Sequence, residues 1–352
     1  MNQPMLNLLA QAYQKPDRQF CFYASADSWD GAGLASEKLK RLPGWEWKPV
    51  KEGTYQGGGT AMTPITFGCE PFETPEGRLW CKKMIHDIGQ IKDIAVPDIY
   101  TGQTGRVLKS LQETMRTLPE NAFVHMCDIQ SPLGCAEVMW DDSFYTALIE
   151  YPQAIHKLLD KIDLFLSRFI KELHRVAQGR MIPSVCPPVW APPGKGYYIS
   201  DDTMSLISPA MHREFGVTYL NRITEACGPL YYHSCTWRAK YFNNIHQLNN
   251  VALLNWNAGN SDDPKTIIAE FSGKAILAPH IVIDMHRDND VLQWNPNFQD
   301  EAEFLKYFLD NLRGNSCMYF WFSNLIQKGA IMEQIYNLLH ERGYSPQAKG
   351  VA

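Results

Sequence analysis

The sequence predicts an α/β chain whose parallel strands and helices close into a single (β/α)8 barrel. Three observations lead there. Short apolar segments that end in polar residues alternate with segments of helical periodicity. The alternation runs past residue 320 with no linker-like stretch. A length of 352 residues fits one barrel as readily as two or three smaller domains. The expected domain is therefore residues 1–352, with an irregular N-terminal extension over about residues 1–90.

The strands come first. Residues 18–27 form one possible early strand, and residues 121–128 the next clear one. Residues 180–186, 229–233, 251–256, 274–280 and 317–322 complete the set. Each is apolar, β-branched or aromatic, and bounded by turn residues. Helical periodicity occupies residues 152–178, 208–227, 238–248, 263–271, 300–313 and 328–342. In the first of these, apolar residues recur at i, i+3, i+4 and i+7, with Pro152 in the first turn and Gly179 just past the end. Ser208 followed by Pro209 supplies an N-cap and a first helical residue for the second. The Gly57-Gly-Gly59 run reads as a flexible loop, because it lacks the later glycine and the Lys-Ser/Thr pair of a phosphate loop.

Composition excludes several classes. Lys and Arg number 33 against 38 Asp and Glu, a formal charge of −5 with no basic stripe, so nucleic acid is not the expected partner. The opening residues are polar and the apolar runs short and interrupted, so neither a signal peptide nor a membrane span is expected. Nine cysteines, an odd number with no Cys-x-x-Cys spacing, indicate reduced thiols and a cytoplasmic protein rather than a disulfide framework. Ten tryptophans suit an aromatic-lined pocket, or simply a packed core.

In a barrel the reactive residues stand at the carboxyl ends of the strands. That rule selects Asp27, Asp128, His233, Cys235, Trp256 and His280. His233-Ser-Cys235 is the sharpest member. It ends the apolar run 228–232, and residues two apart on a strand project from the same face, so imidazole and thiol converge on one point. One nitrogen and one thiolate suit zinc. The plainer alternative is a core histidine beside an ordinary buried cysteine.

These residues, with several motifs, resemble the uroporphyrinogen decarboxylase superfamily, and within it the branch of zinc-dependent, corrinoid-linked methyltransferases. The resemblance spans roughly residues 85–345. It rests on Val96-Pro-Asp98, Asp128-Ile-Gln-Ser-Pro-Leu-Gly134, Tyr151-Pro-Gln-Ala-Ile-His-Lys-Leu-Leu159, Ser200-Asp-Asp202, Ile207-Ser-Pro-Ala-Met-His-Arg-Glu-Phe215 and the His-x-Cys pair. The branch is chosen because the N-terminal part offers only Arg18 and Arg41 where the decarboxylases are arginine-rich. The resemblance implies a (β/α)8 barrel, one zinc per chain, and His233 and Cys235 as its first two ligands. For the third it leaves Cys317, which falls at the start of its strand, and His280, at the end of another.

The implied reaction moves a methyl group between a small-molecule donor or acceptor and the cobalt of a corrinoid protein. Asp128 and Asp202 are the candidate catalytic residues, orienting a polar substrate or taking a proton. Asp27, Trp190, Trp256 and Trp321 are candidates to line the substrate site, Trp190 from the Pro/Gly-rich segment 187–196, which reads as a lid. Asp202 as a loop cap and the tryptophans as core remain open. Asp284-Met-His286 begins like a cobalamin-binding motif but has Asn289 where that motif needs glycine, so the corrinoid is expected on a partner protein. The alternative function is a metal-free decarboxylase of the same fold acting on another substrate.

Overall fold

The computed structural model describes residues 3–16, 20–26, 51–56, 58–186, 188–280, 298–323 and 329–343. Asp27 and Asp284-Met-His286 lie outside the described residues. The chain is mixed α/β with parallel sheets. Its first half carries α1 (Gln3–Gln14), β1 (Phe20–Ala26), β2 (Lys51–Gly53), α2 (Met62–Thr66), β3 (Pro71–Glu73), β4 (Leu79–Cys81), α3 (Gly102–Thr117), β5 (Ala122–His125), α4 (Pro132–Met139), α5 (Phe144–Glu150) and α6 (Pro152–Val176). The rest carries β6 (Met181–Ile182), β7 (Tyr197–Ser200), α7 (Thr218–Cys227), β8 (Leu230–Ser234), α8 (Phe242–Ile245), β9 (Val251–Asn257), α9 (Pro264–Phe271), β10 (Ile276–His280), α10 (Glu301–Asp310), β11 (Cys317–Ser323) and α11 (Gly329–Glu341).

The fold divides into two compact units, one of residues 1–51, 186–191 and 253–352, the other of residues 52–185 and 192–252. In the first, β1, β11, β10 and β9 lie side by side, every pair parallel. β10 is buried throughout, which is why it reads as an unbroken apolar run rather than an alternating one. Two described elements lie in the N-terminal stretch: Leu6, Leu9 and Ala12 of α1 are buried, and β1 pairs with β11 from Phe20↔Cys317 to Ala26↔Ser323. Asp300 caps α10 by accepting from the backbone N–H groups of Ala302 and Glu303. Phe308 of that helix meets Trp256 at 6.4 Å and Phe320 at 5.6 Å between ring centroids.

The second unit is built around α6. Ile155, Leu158, Leu159, Ile162, Phe165, Leu166, Phe169, Ile170 and Leu173 are buried along one stripe, the 3.6-residue period already visible in the sequence. Gln178 and Gly179, both at positive φ, end the helix. Two parallel strand pairs follow, β5 with β6 and β7 with β8. β7 was absent from the strands expected from sequence, whereas the strand expected over 180–186 shrinks to Met181–Ile182. Among the described residues no helix is long and apolar enough to cross a membrane.

The approach to α7 is irregular. Ser208 accepts from the Met211 N–H, Pro209 starts the helix, and residues His212–Val217 then widen into a π turn. Gly216 lies under the His212 ring: a Cβ there would stand 2.5 Å from ring carbon Cδ2. Gly216→Ala therefore has the opposite sign to an ordinary helix substitution. Alanine would add about 1 kcal/mol at an open helical site; here urea unfolding should show a loss of about 1–3 kcal/mol from overpacking. Equal or greater stability would mean that the ring moves aside freely.

Candidate functional site

Parallel pairing brings three chain segments to one edge. Ser200 at the end of β7 is level with His233 of β8. On the other side of Ser200, Gln130 forms a parallel bridge to it, with hydrogen bonds from Ser131 N–H to the Ser200 carbonyl (2.8 Å) and from Ser200 N–H to the Ile129 carbonyl (2.9 Å). Asp128, Asp202, His233 and Cys235 therefore collect where three neighbouring strands run out, the position at which parallel α/β folds bind ligands.

Three of these side chains form one donor set. His233 Nε2 lies 3.4 Å from Cys235 Sγ and 3.8 Å from Asp202 Oδ1, and the three donor atoms all fall within 4.8 Å of one another. Tetrahedral zinc with bonds of about 2.0–2.3 Å spaces its ligands roughly 3.3–3.7 Å apart. The 3.4 Å edge falls within that spacing and the 3.8 Å edge just beyond it, and the nitrogen, sulfur and carboxylate oxygen are donor types that zinc accepts. Each side chain is held from behind. Ser200 Oγ donates to Asp202 Oδ2 at 2.7 Å, and the Cys235 N–H donates to Asp202 Oδ1 at 2.6 Å. The His233 ring stacks on Tyr198 at 6.0 Å. His233 is only 5% exposed, while the Asp202 side chain is 41% exposed, so the set has a closed side and an open one.

The electrostatics favour a cation. Burial pushes the Cys235 thiol up, and the neighbouring Asp202 carboxylate pushes it further. Burial likewise raises Asp128 to about 6; Asp202 adds to the rise, whereas His233 opposes it. Asp128 Oδ1 is sealed from solvent and has no hydrogen-bond partner among the described residues. Two carboxyl groups and a thiol thus lie close together, and a bound cation would favour the ionised form of each.

The remaining described candidates belong to the first unit. His280 closes β10, buried, with Nδ1 3.2 Å from Asn255 Nδ2. Cys317 opens β11, whose Met318 is level with Leu277 of β10. Within that unit the two lie near opposite strand ends, separated along the strands by roughly 13 Å at 3.3 Å per residue. Trp256 is fully buried against Phe308, the packed role that the sequence left open. Trp190 is half-buried, its ring edge-on to Tyr13 at 6.5 Å and its carbonyl accepting the Tyr13 hydroxyl at 3.1 Å. Trp321 lies on β11, and its side chain is outside the described residues. Sequence reasoning gave Asp202 a catalytic role and did not group it with His233 and Cys235. The signal was the parallel strand before it, Tyr197–Ser200, concealed directly behind a Pro/Gly-rich segment.

No protein-family model and no curated protein matches the chain. Among solved structures, the chain is similar in fold to a methyltransferase from Methanosarcina mazei, with a TM-score of 0.58 and 13% identity over 78% of each chain. A beta-1,4-mannanase from the common sea hare Aplysia kurodai aligns over 82% of each chain at 11% identity, but its TM-score of 0.35 carries no argument.

Asp128 gives a pH test that needs no ligand. A folded-state value of about 6 lies above the ordinary aspartate value of about 4. Protonation therefore stabilises the native state fully below about pH 4, and the benefit disappears as pH rises through 6. Asp128→Asn should gain on the wild type between pH 4 and pH 8, by about 1–3 kcal/mol in denaturant unfolding of metal-free protein. A pH-independent difference would show that the carboxyl is well solvated.

Proposed function

We propose that the chain is a (β/α)8-barrel methyltransferase that uses zinc and passes a methyl group between a small molecule and the cobalt of a corrinoid carried by a partner protein. The observation that carries this reading is the Asp202–His233–Cys235 set, whose donor atoms lie within 4.8 Å of one another with one exposed side chain among them. Likeness to the Methanosarcina mazei methyltransferase supports it, as does the sequence resemblance to the zinc-dependent branch.

His233, Cys235 and Asp202 would hold the ion as its three protein ligands. Zinc bound there supplies Lewis acidity to the atom that carries or receives the methyl group. Asp202 also keeps the loop after β8 in register through its bond to the Cys235 N–H. Asp128, one of whose oxygens has no hydrogen-bond partner among the described residues, would orient a polar substrate or take its proton. The same raised Asp128 carboxyl favours one rival, a metal-free decarboxylase in which Asp128 steadies a protonated intermediate.

Purified protein should contain one zinc per chain by elemental analysis. Cys235→Ala and His233→Ala should each abolish stoichiometric zinc while leaving a folded chain, as expected of a catalytic ion held at the strand ends of a parallel sheet. Cobalt absorbance, followed with free cob(I)alamin and candidate methyl donors, should report methylation that requires zinc and vanishes in Cys235→Ala. Protein that cannot be loaded with zinc, yet releases carbon dioxide from a carboxylated substrate, would establish the decarboxylase instead.

A further inference from the structure

Behind the donor set lies a second, fully buried polar cluster that none of the roles above employs. Asp201 and His212 are both closed to solvent, with His212 Nε2 2.9 Å from Asp201 Oδ2. The same Oδ2 accepts the Tyr232 hydroxyl at 3.1 Å, and Oδ1 accepts the Ser131 hydroxyl at 2.7 Å. Asn244 fixes the imidazole tautomer. Its Nδ2 donates to the Pro209 carbonyl at 2.7 Å and lies 3.0 Å from His212 Nδ1. Nδ1 therefore accepts, and Nε2 donates to the carboxylate.

The partners of Asp201 come from separate segments, and each segment carries or supports a site residue. Ser131 follows Asp128 by three positions and caps α4 through the Gly134 N–H. Tyr232 precedes His233 on β8. His212 holds the π turn that leads into α7. Asp201 itself is bonded along the chain to Asp202, and its N–H donates to the His233 carbonyl at 2.8 Å. One side chain thus ties together the strand ends that bear Asp128, Asp202 and His233.

We propose that Asp201 is the positioning residue of the metal set: through Ser131, Tyr232 and His212 it fixes the three strand ends so that the donors of Asp202, His233 and Cys235 stand at ligand spacing before the ion arrives. This rests on the zinc reading above. Asp201 touches neither the ion nor the substrate. Outer partners that orient metal ligands characteristically set affinity and geometry. A purely structural network would instead set only the stability of the core.

Zinc affinity by chelator competition, and the visible spectrum of the cobalt(II)-loaded full chain, separate these roles. Asp201→Ala should weaken zinc by about 10–100-fold and alter the cobalt(II) absorption. Tyr232→Phe, which removes one hydrogen bond and keeps the fold should Asp201→Ala fail to fold, should weaken zinc by about 3–10-fold. Asp163→Asn is the control: Asp163 is buried and ion-paired with Arg222 at 2.9 Å, away from the set, and should lower stability with affinity and spectrum unchanged. Wild-type affinity and spectrum in Asp201→Ala, or in Tyr232→Phe where the former does not fold, would overturn the proposal. Wild-type protein that takes up neither zinc nor cobalt would overturn the zinc reading itself, and this role with it.

Discussion

Parallel pairing sets Ser200 level with His233, and Gln130 level with Ser200. The rest of the site depends on that register. In a parallel ladder all chains point the same way, so functional residues placed just beyond each strand arrive at one edge without any long-range design. A slip of one residue would turn His233 to the other face of β8 and remove it from Asp202 and Cys235. The register is held by the backbone ladder and also by a buried carboxylate. Asp201 is in itself an unfavourable thing to enclose, since burial acts to raise its pKa. Hydrogen bonds from His212, Ser131 and Tyr232 outweigh that effect and keep its pKa below the ordinary aspartate value. A buried charge of this kind is poor evidence of stability in itself; its value here is that it tolerates only one arrangement of its neighbours.

Much of this was legible in the sequence, for physical reasons that differ from element to element. α6 announced itself because its apolar face is one stripe on a helix with an exposed back. The His-x-Cys pair was legible because strand periodicity is two and the run before it is bounded by Gly-Pro. α4 was not legible. Of its eight residues only Glu137 is not buried, so no polar face marks the helical period. β7 was hidden because four residues are too few to show a pattern, and the prolines and glycines just before them read as loop. Without β7 there was no reason to set Asp202 beside His233. The mixed α/β architecture with parallel strands was foreseen, and so were the approximate extents of the later helices. The grouping of donors was a matter of lateral neighbours, which one-dimensional spacing does not encode.

Charge and exposure also divide the site in a useful way. His233 is enclosed and one oxygen of Asp128 is sealed from solvent, whereas Asp202 reaches it. On the reading proposed above, an ion entering from solvent would meet the exposed Asp202 carboxylate before the enclosed imidazole.

The π turn at His212–Val217 has a consequence for how this chain can change length. Such a turn holds one residue more than the α-helix needs to cover the same rise. Upstream, His212 faces Asp201; downstream, Tyr219, Leu220, Ile223 and Thr224 are buried. The surplus residue is what lets both halves point inward at once. Removing it would restore regular winding and rotate one half against the other by roughly 100°, swinging either the imidazole or the apolar stripe out to solvent. The helix therefore works as a vernier between the polar cluster and the core. Insertions and deletions are free to accumulate in surface loops, but the count of residues between His212 and Tyr219 is fixed by two incompatible phases that only this one surplus residue reconciles.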